Sequence, residues 1–195
     1  MNLLAHAFLS FNDPDILAGN MINDYVKGKK KFDYPQAIQA GMALHRAIDH
    51  FTDNHPATQA AKQCFRPQYR LYAGAFVDVL YDHFLANDKE QFANETMLDN
   101  FCNQTYVQLQ NNLHLLPAKF QQMFPYMQSQ NWLFNYRLIA GIEKGFGGLV
   151  KRAAYLSESA IAFSIFNDQY HQFQRCYNDF FPDLKAFTLQ EFAKI

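Results

Sequence analysis

Histidine and aspartate side chains recur at helical spacing in the N-terminal half of the chain, where they could bind a metal ion. His45, Asp49 and Asp53 follow one another at four-residue intervals, so in a helix they form one stripe. An imidazole and a carboxylate one turn apart can hold one metal ion between them. A solvated helix face would show the same polar stripe, so this segment alone leaves both interpretations open.

A later segment repeats this chemistry. Asp78 and Asp82 are one turn apart, whereas His83 lies about 100° from Asp82 around a helix, nearer its apolar side. One interpretation makes Asp82 a ligand and His83 a supporting partner or proton donor, or the reverse. The other makes His83 a core-edge histidine that hydrogen-bonds to the backbone.

Two further polar residues lie among apolar neighbours. His6 interrupts an apolar run, and Asp24 closes a mostly apolar segment; a buried imidazole would need a partner. Because four separate helices each offer His or Asp, the pattern indicates a metal site more strongly than any single residue does. Mixed nitrogen and oxygen ligands suit Mn²⁺, Fe or Zn²⁺, and carboxylate-rich sets favour Mn²⁺ or Mg²⁺.

The elements that must position these residues are predicted to be helices. No alternating apolar and polar run bounded by turn signals appears, so we expect no strand. Without a linker or repeat, the sequence predicts one all-α domain over residues 1–195. The expected helices run over about 14–26, 35–53, 67–86, 95–116 and 131–144, with a turn at the glycines 145, 147 and 148 and a last helix that Pro182 ends.

Composition excludes several function classes. The net charge of −1 provides no global field toward nucleic acid or an anionic membrane. No run of 18 apolar residues and no signal peptide is visible, so we expect a cytoplasmic protein without a membrane span. The 20 Phe and 11 Tyr residues must largely line a core, and an exposed remainder could form a homodimer interface.

Several segments occur together in a characteristic order. They are Met1-Asn2-Leu3-Leu4-Ala5-His6, Gly19–Asp24 with Val26-Lys27-Gly28, His45–Asp49 with Thr52-Asp53, Asp78–Leu85, and Asn131-Trp132-Leu133 with Tyr136. In this combination the chain resembles the acyl carrier protein phosphodiesterase family.

The resemblance implies a compact helical fold related to the HD-type metal phosphohydrolases. It also implies an enzyme of lipid metabolism that hydrolyses the phosphodiester joining 4′-phosphopantetheine to the serine of acyl carrier protein. The implied cofactor is a divalent metal, Mn²⁺ before Mg²⁺ or Fe. The ligand positions that it implies are His6, Asp24, His45, Asp49 and Asp82, with His83 at or beside the metal.

Roles for further residues follow as hypotheses. His83 would orient the attacking water or protonate the leaving serine oxygen, and Arg46 would hold a phosphate oxygen. Acyl carrier proteins are acidic, so docking needs positive charge near the site. The candidate docking residues are Lys27 and Lys29 after the Asp24 segment, and Arg66 and Arg70 before the Asp82 segment.

Two alternatives use the same residues. One is a related metal phosphohydrolase that acts on a nucleotide or another small phosphoester. The other is a helical binding module without catalytic activity, for which we would expect no bound or activating metal.

Overall fold

Eleven α-helices and no β-strand make up the fold, which confirms the all-α prediction. The computed structural model describes residues 1–195. None of its helices has both the length and the apolar character needed to cross a bilayer. The helices are α1 (Leu3–Phe8), α2 (Pro14–Ile22), α3 (Gln36–Asn54), α4 (Pro56–Tyr69), α5 (Ala73–Ala86), α6 (Glu95–Asn111), α7 (Ala118–Ser129), α8 (Trp132–Asn135), α9 (Ile139–Arg152), α10 (Ala160–Asp168) and α11 (Tyr170–Phe192).

Helices α2 and α3 approach each other at glycines. A Cβ atom on Gly19 would lie 2.0 Å from the carbonyl oxygen of Ile38, and one on Gly41 would lie 2.4 Å from that of Ile16. Neither helix could carry a side chain at these positions without moving apart. The close approach places the middle of α2 directly against the helix that bears His45 and Asp49.

Helix α1 has only six residues, too few to be stable without tertiary contacts. The buried Asp82 on α5 provides such a contact, because its carboxylate accepts hydrogen bonds from the backbone N–H groups of Leu4 (2.7 Å) and Ala5 (3.2 Å). These groups lie in the first turn of α1, where no partner within the helix exists. Asp82 thereby fixes the helix that carries His6.

Most of the aromatic surplus lies in the core. Phe65 and Phe76 have ring centroids 5.5 Å apart, and Phe65 and Phe173 have theirs 5.2 Å apart. Phe146 completes the group with its centroid 5.0 Å from that of Phe76, and all four side chains are fully buried. Helices α4, α5, α9 and α11 therefore share one aromatic core beneath the N-terminal helices.

Several predicted boundaries were wrong. Pro67 lies in the last turn of α4 and does not begin a helix; α5 begins six residues later, at Ala73. Helix α2 ends at Ile22, and short 3-10 turns follow it. Helix α11 continues through Pro182 and ends at Phe192. The buried Phe180, Phe181 and Leu184, next to the proline, hold this part of the helix against the core.

The glycines of α9 do not form the predicted turn either. The helix runs without interruption from Ile139 to Arg152. Its buried residues Ile142, Phe146 and Leu149 follow the i, i+4, i+7 pattern of one apolar face. Burial of this face offsets the low helix propensity of glycine, which costs about 1 kcal/mol per residue relative to alanine.

Candidate metal centre

Two buried histidines from different helices stack on each other. The imidazole rings of His6 (α1) and His45 (α3) have centroids 3.9 Å apart and lie within 10° of parallel. Their side chains are 5% and 6% exposed. Such close stacking of two polar rings requires that their nitrogen atoms be bound by other groups.

Asn20 of α2 binds one nitrogen of each ring. Its side-chain Oδ1 lies 2.7 Å from His6 Nδ1, and its backbone oxygen lies 2.7 Å from His45 Nδ1. The Asn20 Nδ2 group donates to the His6 backbone oxygen (2.9 Å) and to Ser10 Oγ (3.0 Å), which fixes the orientation of the amide. Both Nδ1 atoms therefore carry the proton, which leaves the Nε2 lone pairs available as ligands.

The two Nε2 atoms converge on the carboxylate of Asp49. Asp49 Oδ1 lies 3.3 Å from His6 Nε2, and its Oδ2 lies 3.0 Å from His45 Nε2. Neither Nε2 atom makes a hydrogen bond of acceptable geometry, although both are buried. One ligand atom from each of His6, His45 and Asp49 lies within 4.8 Å of the other two.

Asp24 adds a second carboxylate at the edge of this group. Its Oδ1 lies 3.3 Å from His45 Nε2, and its side chain is 74% exposed. Two buried nitrogen lone pairs beside two carboxylates fit a divalent cation, because an unpartnered buried nitrogen is otherwise costly.

The charge balance of the group also favours a cation. Burial lowers the pKa of His45, but Asp24 and Asp49 outweigh it and raise that pKa to about 9. Burial and the charge on His45 lower the pKa of His6 to about 4. Although burial opposes it, the adjacent His45 and His6 hold the pKa of Asp49 well below its ordinary value. Without a metal, a proton on His45 supplies the positive charge that the carboxylates require.

The remaining aspartates of the predicted stripes have other partners. The Met1 α-amino group is buried, 2.9 Å from Asp78 Oδ1 and 3.5 Å from Asp49 Oδ1. Burial opposes its charge, but Asp78 and Asp49 raise the pKa of this amine to about 10. Asp53 pairs with Lys62 at 2.7 Å. Asp53 is thus engaged in an ion pair with Lys62, and Asp78 pairs with an amine that also contacts Asp49.

Asp82 and His83 are not brought into this group. The two oxygens of Asp82 accept the backbone hydrogen bonds that hold α1, and burial raises the pKa of Asp82 to about 7. His83 Nδ1 lies 2.8 Å from the backbone oxygen of Tyr136, and its Nε2 lies 3.0 Å from Tyr170 Oη. The predicted roles of Asp82 as a ligand and of His83 in proton transfer therefore stay predictions, and in the structure both side chains contact other parts of the protein.

The predicted phosphate-binding and docking residues lie on the surface. Arg46 donates to Asn23 Oδ1 at 2.7 Å, one residue from Asp24. Lys27 and Lys29 are exposed. Arg66 donates to Gln59 Oε1 at 2.8 Å, and Arg70 adopts a positive φ of 47° after α4.

A cleft of about 670 Å³ opens beside the histidine pair. His6, His45 and Asp24 lie on one side of it, and α9 contributes another wall. Sequence reasoning missed this wall, and it missed Asn20. The available signal for Asn20 was a polar amide within the buried segment Ile16–Ile22, where a polar side chain needs hydrogen-bond partners.

Comparisons with known proteins identify the family of the chain. A family model described as acyl carrier protein phosphodiesterase matches residues 1–184. Proteins named acyl carrier protein phosphodiesterase from Serratia proteamaculans and Yersinia pestis are each 32% identical over 184 residues, 94% of this chain and 95% of theirs. One from Photorhabdus laumondii is 31% identical over 182 residues, 93% of this chain and 92% of its own. No solved structure matches the chain.

Proposed function

The chain belongs to the acyl carrier protein phosphodiesterase family, and we propose that it converts holo acyl carrier protein to the apo form. The bond hydrolysed is the phosphodiester between 4′-phosphopantetheine and the carrier serine. The observation that carries the proposal is the pair of buried, unpartnered Nε2 atoms of His6 and His45 beside Asp49.

The proposed cation ligands are His6, His45 and Asp49, with Asp24 beside them. Two imidazoles and carboxylate oxygens suit Mn²⁺, with Fe or Mg²⁺ as alternatives. A divalent cation bound there would lower the pKa of a coordinated water and offset charge that develops on the phosphoryl oxygens. Asn20 holds both imidazoles in the tautomer that ligation requires.

Asp24 is the carboxylate best placed to move a proton. It lies at the mouth of the group, and the adjacent His45 lowers its pKa, so it is ionised at neutral pH. We propose that Asp24 takes a proton from the attacking water and returns one to the leaving serine oxygen. This role replaces the one expected of His83, whose two nitrogens are occupied.

Arg46 and the basic surface residues retain their proposed roles in substrate binding. Asn23 holds Arg46 one residue from Asp24, which suits a contact to a non-bridging phosphate oxygen. The docking candidates Lys27, Lys29, Arg66 and Arg70 would speed the encounter with an acidic carrier protein more than they raise affinity. Charge reversal at these positions should therefore lower the association rate, most strongly at low ionic strength.

The test is incubation of purified holo acyl carrier protein with the chain and Mn²⁺, followed by intact-protein mass measurement. We expect loss of the 4′-phosphopantetheine mass and appearance of the apo form. Asp49→Asn should remove the conversion, and Asp179→Asn, an exposed change on α11, should retain it. A carrier protein that stays intact at full metal occupancy would overturn the proposal.

A further inference from the structure

Helix α9 has two chemically different faces. Ile142, Phe146 and Leu149 are buried on one of them. The residues of α9 that line the cleft are only glycines and cations: Gly141, Lys144, Gly145, Gly147, Gly148, Lys151 and Arg152. The glycines of this wall thus leave space in the cleft, and its Lys and Arg side chains give it positive charge.

Protein packing explains two of these glycines but not Gly148. A Cβ atom on Gly141 would lie 1.9 Å from the Asn135 backbone oxygen, and one on Gly145 would lie 2.8 Å from Val79 Cγ1. At Gly148 a Cβ atom would meet only Arg152 Nη1, at 3.6 Å, which is an ordinary contact. Since glycine in a helix costs about 1 kcal/mol relative to alanine, the space left at Gly148 requires another explanation.

The cations of this wall have no partner within the protein. No carboxylate lies within 4.0 Å of Lys144, Lys151 or Arg152. By contrast, Lys62 is paired with Asp53 at 2.7 Å. Lys151 and Arg152 are adjacent in the last turn of α9 and free to pair with an anion from outside the chain.

The same cleft reaches the unpartnered Nε2 atoms of His6 and His45, whose side chains are more than nine-tenths buried. Its volume of about 670 Å³ falls within the range of about 300–1,000 Å³ that is typical of small-molecule sites. A volume of this size is small for a carrier-protein helix, which is about 10 Å across. It suits a thin phosphorylated chain better.

We propose that the cleft-facing side of α9 binds the 4′-phosphopantetheine group of the substrate. Lys151 and Arg152 pair with its phosphate, and Gly148 leaves room for the chain that follows. This inference rests on the proposed function and adds the residues that hold the prosthetic group. The carrier protein itself docks outside the cleft.

The probe is free 4′-phosphopantetheine, the product of the proposed reaction, titrated calorimetrically into the protein with and without Mn²⁺. We expect the double substitution Lys151→Gln/Arg152→Gln to weaken binding by about ten-fold or more, the loss of two charge-assisted contacts. The matched control is Lys119→Gln/Arg175→Gln, which removes the same charges from exposed positions on α7 and α11. The control should bind as the wild type does.

Gly148→Ala provides a second test, chosen because this substitution should not impair folding. The substitution should leave the melting temperature unchanged or raise it, because alanine favours the helix. It should nevertheless weaken 4′-phosphopantetheine binding, because the new methyl group occupies the cleft. A stable Gly148→Ala protein with unchanged affinity would argue against the proposed room for the chain.

Failure of this inference differs from failure of the proposed function. If the wild type converts holo acyl carrier protein and the Lys151→Gln/Arg152→Gln protein binds the product equally well, the α9 assignment is overturned and the function stands. If the wild type neither converts the carrier protein nor binds 4′-phosphopantetheine, both are overturned.

Discussion

Helices α3 and α5 carry the same residue types, and the structure uses them in opposite ways. On α3, His45 and Asp49 lie next to His6 of α1, and the Nε2 atoms of both histidines have no hydrogen bond. On α5, every polar atom of the Asp82–His83 pair that could bind a metal lies against the protein itself. Asp82 accepts from the N-terminus of α1, and His83 contacts Tyr136 and Tyr170.

The difference indicates that an available lone pair, and not the residue type alone, marks a candidate metal ligand. The oxygens of Asn20 accept hydrogen bonds from Nδ1 of each imidazole, which leaves the Nε2 atoms available. Asp82 instead contributes to the site indirectly, since it fixes the short helix that carries His6. We therefore expect α3 substitutions to affect metal binding and α5 substitutions to affect stability.

The largest effect should come from Asp49→Asn. Asp49 is the carboxylate shared by both Nε2 atoms, so we expect Mn²⁺ affinity and holo-to-apo conversion to fall by about 100-fold or more. Calorimetric Mn²⁺ titration and the mass assay measure the two losses. A variant that binds Mn²⁺ as tightly as the wild type would remove α3 from the metal centre.

Asn20→Leu should weaken Mn²⁺ binding by about 10- to 100-fold, the usual cost of losing a group that orients a metal ligand. The leucine removes the acceptor for His6 Nδ1 but leaves the backbone acceptor for His45. Asn20→Asp keeps a side-chain oxygen that can accept from His6 Nδ1, so this variant should retain more of the Mn²⁺ affinity. Equal affinities for the two variants, measured by Mn²⁺ titration, would show that the tautomer of His6 does not matter.

Asp82→Ala should lower the free energy of unfolding by about 1–3 kcal/mol, because two N–H groups at the start of α1 lose their acceptor. Urea denaturation of the metal-free protein measures this loss. The folded fraction should still bind Mn²⁺ within a few-fold of the wild-type affinity. Abolished Mn²⁺ binding in a protein that remains folded would instead place Asp82 among the ligands.

The smallest effect should be a pH dependence of the metal-free protein. The folded pKa of His45, about 9, exceeds the unfolded value of about 6.5. The stability from protonated His45 is therefore fully present below pH 6.5 and is lost as the pH rises through 9. Melting temperatures between these limits should fall in the wild type, and His45→Asn should reduce that decline, most clearly between pH 6.5 and 8, below the range in which the Met1 amine loses its proton, while changes at His83 should not.

The sequence supported α3 better than α5 for a physical reason. The four-residue spacing of His45 and Asp49 is a property of one helix, so the sequence alone predicts that their side chains are neighbours. Whether Asp82 is free depends on α1, which lies 77 or more residues away in the chain. Spacing within α5 contains no information on that contact.

The same limit applies to the cleft. The glycines of α9 predict a turn by local propensity, and only the aromatic core against which Phe146 packs shows why the helix continues. The partner of His6 is likewise a tertiary feature, since Asn20 lies on a different helix. The residue types of the candidate metal centre were predictable; their hydrogen-bond partners required the packed structure.

Anomalous diffraction from a crystal soaked in MnCl₂ tests the contrast between α3 and α5 most directly. We predict an anomalous peak at bonding distance from the Nε2 atoms of His6 and His45 and from Asp49. An anomalous peak on Asp82 and His83, or no peak beside the histidine pair at saturating Mn²⁺, would contradict the assignment.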